Sequence, residues 1–159
     1  MNTEQIERIE GILVKLVDSI GDSRYLLSIR GLSYITVAGL LAELGPLSYY
    51  QNARQLIKMA GTNPIESESA GKRSSRTPMS KKGRPGLRWC IWAGALSLLR
   101  HNPDFHYWAK QRQERPAHAH PLRKREVIGA TANRLLRLAY VLVRKQILYQ
   151  VPQIAEVTA

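Results

Sequence analysis

Apolar residues along this chain recur at helical spacing, with no strand-like alternation. Thr3 opens the first segment with Glu4 and Glu7 early in it, a helix start. Ile6, Ile9, Leu13, Leu16 and Ile20 then follow at alternating intervals of three and four. That spacing is the seam of a coiled coil. Over about two heptads it fits two arrangements. One is a helix packed on its own domain. The other is a coiled-coil arm through which copies assemble as a homo-oligomer across residues 3–20.

The next apolar block, residues 28–45, parses as a short helix, a Gly31-Leu32-Ser33 turn, and a helix over Tyr34–Leu44 closed by Gly45. This order resembles a helix-hairpin-helix, whose turn amides bond a DNA phosphate. Gly31 and Ser33 are the candidate contacts, Ser33 standing where that motif prefers glycine. A plain helical hairpin in the core fits the same pattern. Ser48 or Asn52 can cap a further helix reaching Ala60, with Leu56, Ile57 and Met59 on its apolar side. Residues 87–101 carry Trp89, Ile91, Trp92, Ala95, Leu96, Leu98 and Leu99 around most of a helix, the expected central buried one. Asn102-Pro103 breaks it. Phe105, Tyr107 and Trp108 follow in a short segment, suited either to stacking on bases or to locking that segment onto the core. The last helix is expected over residues 126–149. Val127, Ala130, Leu135, Leu138, Val141 and Leu142 form its apolar side, and Arg134, Arg137, Arg144 and Lys145 its basic side. The fold class is all-α. Residues 1–27 form a helical linker or coiled-coil arm, 28–150 the main domain, and 151–159 a tail.

Between the helices lies a segment of another character. Residues 66–88 hold Lys72, Arg73, Arg76, Lys81, Lys82, Arg84 and Arg88 among Ser, Gly and Pro, and no acid occurs from Ser69 to Pro103. So few apolar side chains cannot offset the entropy of ordering. A mobile basic loop held out by a helical scaffold is expected, with a polyanion as partner. The whole composition points the same way. The 159 residues contain 24 Lys and Arg against 12 Asp and Glu, a net charge of +12. Such an excess favours nucleic acid or an anionic surface.

The sequence excludes several chemistries. A single cysteine, Cys90 in an apolar run, reads as a buried small hydrophobe and forms no disulfide framework. His118 and His120 sit in a second basic loop without the spacing of a zinc site, so no metal is expected in this chain. No set of acids converges as a two-metal nuclease requires, and there is no P-loop, dinucleotide fingerprint or nucleophile elbow. No signal peptide and no apolar run of about 20 residues is present, so a cytoplasmic, nucleoid-associated protein is expected. What remains is a serine beside cations. Ser69, followed by Ala70-Gly71-Lys72, stands at the edge of the basic run, where Lys and Arg can hold phosphodiester oxygens.

The order of short motifs then becomes informative. Gly31 to Gly45 comes first, followed by Asn52-Ala-Arg-Gln-Leu-Ile-Lys-Met-Ala-Gly61 and Asn63-Pro64. Ser69-Ala-Gly-Lys72, Met79-Ser-Lys-Lys-Gly83 and Leu87-Arg88 precede a late Arg-rich helix. Together they resemble the C-terminal transposase domain of the insertion-sequence 110/116/902 family, which includes the Piv-type DNA invertases (DEDD recombinases). The resemblance implies a DNA-binding, serine-bearing domain of a transposase or site-specific recombinase. In that family a separate RuvC-like domain supplies four acids for Mg²⁺, and some members use a guide RNA. That domain is expected to be missing from these residues, leaving no cofactor in this chain and no activity without it. By position, Ser69 matches the family serine thought to attack DNA, with Ala70 where glycine is usual. Ser80 is its competitor. Lys72, Arg73, Arg76, Lys81, Lys82, Arg84 and Arg88 become candidate DNA contacts. The alternative is a non-catalytic, basic helical nucleic-acid adaptor.

Overall fold

A computed structural model describes residues 2–65, 68–69, 72–73, 78–116 and 121–151, with the backbone alone at 68–69 and 72–73. The described architecture is all-α. Its helices are α1 (Thr3–Asp18), α2 (Ser23–Leu27), α3 (Tyr34–Leu44), α4 (Ala53–Ala60), α5 (Pro85–His101), α6 (Pro103–Gln113) and α7 (Lys124–Lys145). A two-stranded antiparallel ribbon, β1 (Glu68–Ser69) and β2 (Lys72–Arg73), stands between α4 and α5.

Local chemistry sets the boundaries. Asn52 Oδ1 accepts from the Gln55 amide at 3.2 Å and starts α4, and Gly61 closes it in the left-handed region at φ 67°. Ser33 caps α3, its hydroxyl accepting from the Thr36 amide at 3.3 Å, and Gly45 ends that helix at φ 65°. Pro85 occupies the first turn of α5, where its missing N–H costs nothing. Asn102 both ends α5 and caps α6, its Oδ1 accepting from the amides of Asp104 and Phe105. These ends satisfy donors and acceptors that a helix leaves open.

α5 is the hub, packed against α7, α3 and α6. Leu87, Cys90, Ile91, Gly94, Ala95 and Leu98 are buried along it. At Gly39 of α3, an added Cβ would stand 2.5 Å from Cys90 Sγ, so the absence of a side chain sets how closely these helices approach. The packed core reaches N-terminal of residue 28, taking in Val17, Tyr25 and Leu26.

Several expectations need correction. α5 is the central helix as expected, but two residues of its apolar run stay open: Trp89 is 68% exposed and Leu96 36%. In α7, Val141 faces solvent, while Leu136, Ala139 and Val143 join the core. The helix stops at Lys145, with Gln146 left-handed at φ 54°, short of the expected end at 149. The seam of α1 is largely uncovered: Ile6, Ile9, Leu16 and Ile20 are exposed, while Leu13 packs on the core and Val17 is buried. Packing of that seam on its own domain is therefore ruled out for most of its length. No helix among the described residues is long and apolar enough to cross a membrane.

Candidate nucleic-acid interface

The basic segment is rooted by pairing, which corrects the expectation of a free loop for its described residues. The Ile65 amide donates to the Pro78 carbonyl at 2.9 Å, Ser80 to Asn63 at 2.9 Å, and Lys81 to Gly61 at 2.9 Å. The same antiparallel course continues at β1 and β2, where Glu68 pairs with Arg73 and Ser69 with Lys72. Few apolar residues are needed for this, because main-chain bonds carry the pairing and the helices clamp its base.

Three contacts form the clamp. Thr62 Oγ1 donates to Asn133 Oδ1 at 2.5 Å, and Asn133 Nδ2 returns a bond to the Thr62 carbonyl at 3.2 Å, tying the root to α7. Met79 packs over Gly129 of α7, where an added Cβ would lie 2.9 Å from Met79 Cε. Arg88 Nη1 donates to the carbonyls of Ala60 at 3.0 Å and Lys81 at 3.3 Å. Ala60 is the last residue of α4, so a cation meets the negative end of that helix.

The candidate residues thus separate by setting. Ser69 lies on β1 directly across from Lys72, one position from the Glu68–Arg73 pair. Arg76 falls outside the described residues. Ser80 is half-buried at the root, its hydroxyl donating to Asn63 Oδ1 at 2.7 Å. Lys81 and Lys82 are exposed beside it, Lys81 in the left-handed region at φ 52°. Arg84 is exposed, with Nη1 donating to the Glu43 carbonyl. Arg88 spends Nη1 on the main chain and is as much a strut of the scaffold as a ligand for phosphate. Gly31 has φ 102° and presses on α5, where an added Cβ would come 3.3 Å from His101 Cβ. Its carbonyl accepts from Ser97 Oγ at 2.6 Å. Ser33 is exposed, but its hydroxyl already caps α3.

Folding also assembles a surface that the sequence did not announce. An open groove of about 610 Å³ lies between α4 and the start of α5, lined by Gln55, Lys58, Met59, Lys82, Gly83, Arg84 and Pro85. Gln55 and Lys58 sit on the exposed face of α4 and join the basic root only because residues 82–85 fold back over them. The Arg84 amide donates to the Met59 carbonyl at 2.8 Å at this crossing. Gly83 is obligatory there, since a Cβ would stand 2.3 Å from the Met59 carbonyl oxygen. Glu43 sits over the first turn of α5, 2.0 Å from where a Gly86 Cβ would be, an acid placed at a positive helix end. Burial, helped by that carboxylate, pushes the Cys90 thiol pKa up.

Arg134, Phe105 and Trp108 serve the core, whereas Arg137, Arg144, Lys145 and Tyr107 are exposed. Arg134, expected on the basic side of α7, turns inward and pairs with Asp104 at 2.8 Å. Its guanidinium lies over the Phe105 ring at 4.6 Å and the Trp108 ring at 5.0 Å. Phe105 is fully buried, so it and Trp108 lock α6 in place. His118 and His120 lie outside the described residues. Among the described residues no three His, Cys, Asp or Glu side chains gather as a metal site.

Comparison with known proteins adds lineage to this geometry. The profile of the Transposase IS116/IS110/IS902 family matches residues 23–109, more than half of the chain. That span runs from α2 through most of α6 and contains the whole ribbon. The chain is also similar to the Transposase for insertion sequence element IS1111A of Coxiella burnetii (strain RSA 493 / Nine Mile phase I). The two are 30% identical over 105 residues, which is 62% of this chain and 29% of the relative. The chain therefore spans less than a third of that relative's length.

Proposed function

Because this chain belongs to the IS116/IS110/IS902 transposase family, we propose that it is the DNA-gripping, serine-bearing part of a transposase. The ribbon is its working element. The observation that carries the reading is the register of that ribbon, which sets Ser69 across from Lys72 and next to the Glu68–Arg73 pair. A serine attacking DNA must stand among cations that neutralise the phosphate it attacks. In the proposed step Ser69 Oγ bonds to phosphorus and gives up its proton. The bridging P–O bond breaks, and the departing ribose oxygen takes a proton.

Lys72, across from Ser69, holds a non-bridging oxygen of the attacked phosphate, Arg73, Arg76, Lys81, Lys82 and Arg84 hold flanking phosphates, and Arg88 keeps the ribbon upright. Gly31 and Ser33 are secondary backbone contacts. Ser80 is the weaker nucleophile, because its hydroxyl is already spent on Asn63. Mg²⁺ is proposed to act only together with a RuvC-like domain; among the described residues no three His, Cys, Asp or Glu side chains gather. Metal chemistry, like any guide RNA, belongs to the complete recombinase. The exposed seam of α1 is proposed to pair with the same seam of a second copy.

Duplex binding measured over a salt series tests the reading. Contacts to several phosphates make affinity fall by orders of magnitude between low and physiological salt. A salt-independent affinity would remove the proposal.

A further inference from the structure

We propose that the groove between α4 and α5 seats an unpaired nucleic-acid strand, with its phosphates on Lys58, Lys82 and Arg84 and one base stacked on Trp89. The inference rests on the nucleic-acid reading above and names the form of ligand that this surface takes.

The groove has the chemistry of a backbone seat. Lys58, Lys82, Arg84 and Gln55 line one shallow, open surface together with Met59, Gly83 and Pro85, and Arg84 also donates Nη1 to the Glu43 carbonyl. Lysine and arginine supply charge for phosphate oxygens, and glutamine supplies a donor and an acceptor for sugar or base edges.

Trp89 adds the second element. It is not itself a lining residue, but it lies one helical turn after Pro85, which is, on the same stripe of α5. It is 68% exposed, although it opens an apolar run whose other members are mostly buried. A lone exposed apolar residue is ordinary. An open indole face one turn from a cationic groove is a different case, because aromatic platforms beside basic tracks are how proteins hold single strands. Bases inside a duplex are already stacked and are not available to an aromatic on the backbone side. The combination therefore selects unpaired nucleotides over double-stranded DNA.

The test uses the 159-residue chain and three fluorescein-labelled probes of about 12 nucleotides, within the range one such site covers. They are oligo(dT), an abasic strand of the same length, and a duplex. Anisotropy is followed over a salt series. Trp89→Ala is expected to weaken oligo(dT) about tenfold and to spare the abasic strand and the duplex. Trp89→Phe keeps a stacking face and is expected to retain most of the affinity for oligo(dT). Lys58→Ala is expected to lower the salt slope by about one for every probe.

Equal weakening on all three probes in Trp89→Ala would overturn the stacking role. So would no change on any of them, or duplex binding by the parent chain without oligo(dT) binding. Salt-independent or absent binding of all three probes would overturn the underlying nucleic-acid reading along with it.

Discussion

The Ser80 hydroxyl donates to Asn63 Oδ1 at 2.7 Å, joining the two sides of the ribbon where it leaves the helices. This bond gives Ser80 a structural task and sets it apart from Ser69 farther out. Replacing Ser80 by Ala removes a half-buried hydrogen bond and is expected to cost about 1 kcal/mol of stability. Asn63→Ala is expected to cost a similar amount, and the double variant little more than either single one, because all three changes delete the same bond. Urea unfolding of the four proteins measures this. Strand transfer by a complete recombinase carrying Ser80→Ala is expected to persist.

Gly83 makes the closest approach of backbone to backbone at the root of the ribbon. A Cβ there would meet the Met59 carbonyl oxygen at 2.3 Å and the Gly61 amide nitrogen at 2.4 Å, both backbone atoms. Neither can swing aside, so α5 must move off α4. Gly83→Ala is expected to destabilise the fold by about 2 kcal/mol, in the range of an overpacked core, and to weaken every nucleic-acid probe together. Urea unfolding and anisotropy check the two parts.

Cys90 predicts a response to alkali. Burial, then the Glu43 carboxylate, raise its thiol pKa above the ordinary value. A raised folded-state pKa contributes stability that is complete below the unfolded pKa and lost as pH climbs toward the folded one. The loss is therefore expected to begin above about pH 8.5. Tyr149 is shifted in the same direction, chiefly by burial, and adds to the loss at higher pH. Cys90→Ala is expected to flatten the first part of this decline, as followed by thermal unfolding from pH 7 to 10.

The uncovered seam of α1 predicts assembly. Ile9 and Leu16 are 56% and 61% exposed, so Ile9→Glu with Leu16→Glu is expected to leave the domain folded. In sedimentation the parent chain is expected to run as a dimer and the double variant as a monomer with unchanged helix content. A monomeric parent would remove the proposed arm.

Much of the fold was legible because single residues mark helix ends. Asn52, Gly45, Gly61 and the Asn102-Pro103 pair each do so by a local bond or backbone angle that sequence alone implies. The exposure of Trp89 was not legible. α5 is apolar on nearly all sides, and only the placement of α3, α6 and α7 decides which side is left open. Arg134 was misassigned for a related reason. Asp104 and the two rings that enclose it lie about 30 residues earlier, on α6. The ribbon escaped detection because its pairing runs through the main chain and leaves no apolar alternation. Gln55 and Lys58 carried no signal, being ordinary exposed residues until residues 82–85 cross them.

The central claim is that the ribbon brings Ser69 against a phosphodiester. Its most direct measurement is the covalent protein–DNA adduct formed by a complete recombinase, resolved on a denaturing gel. Ser69→Ala is expected to abolish the adduct while DNA binding stays within about twofold, and Ser80→Ala is expected to keep it. An adduct that survives Ser69→Ala would contradict the account.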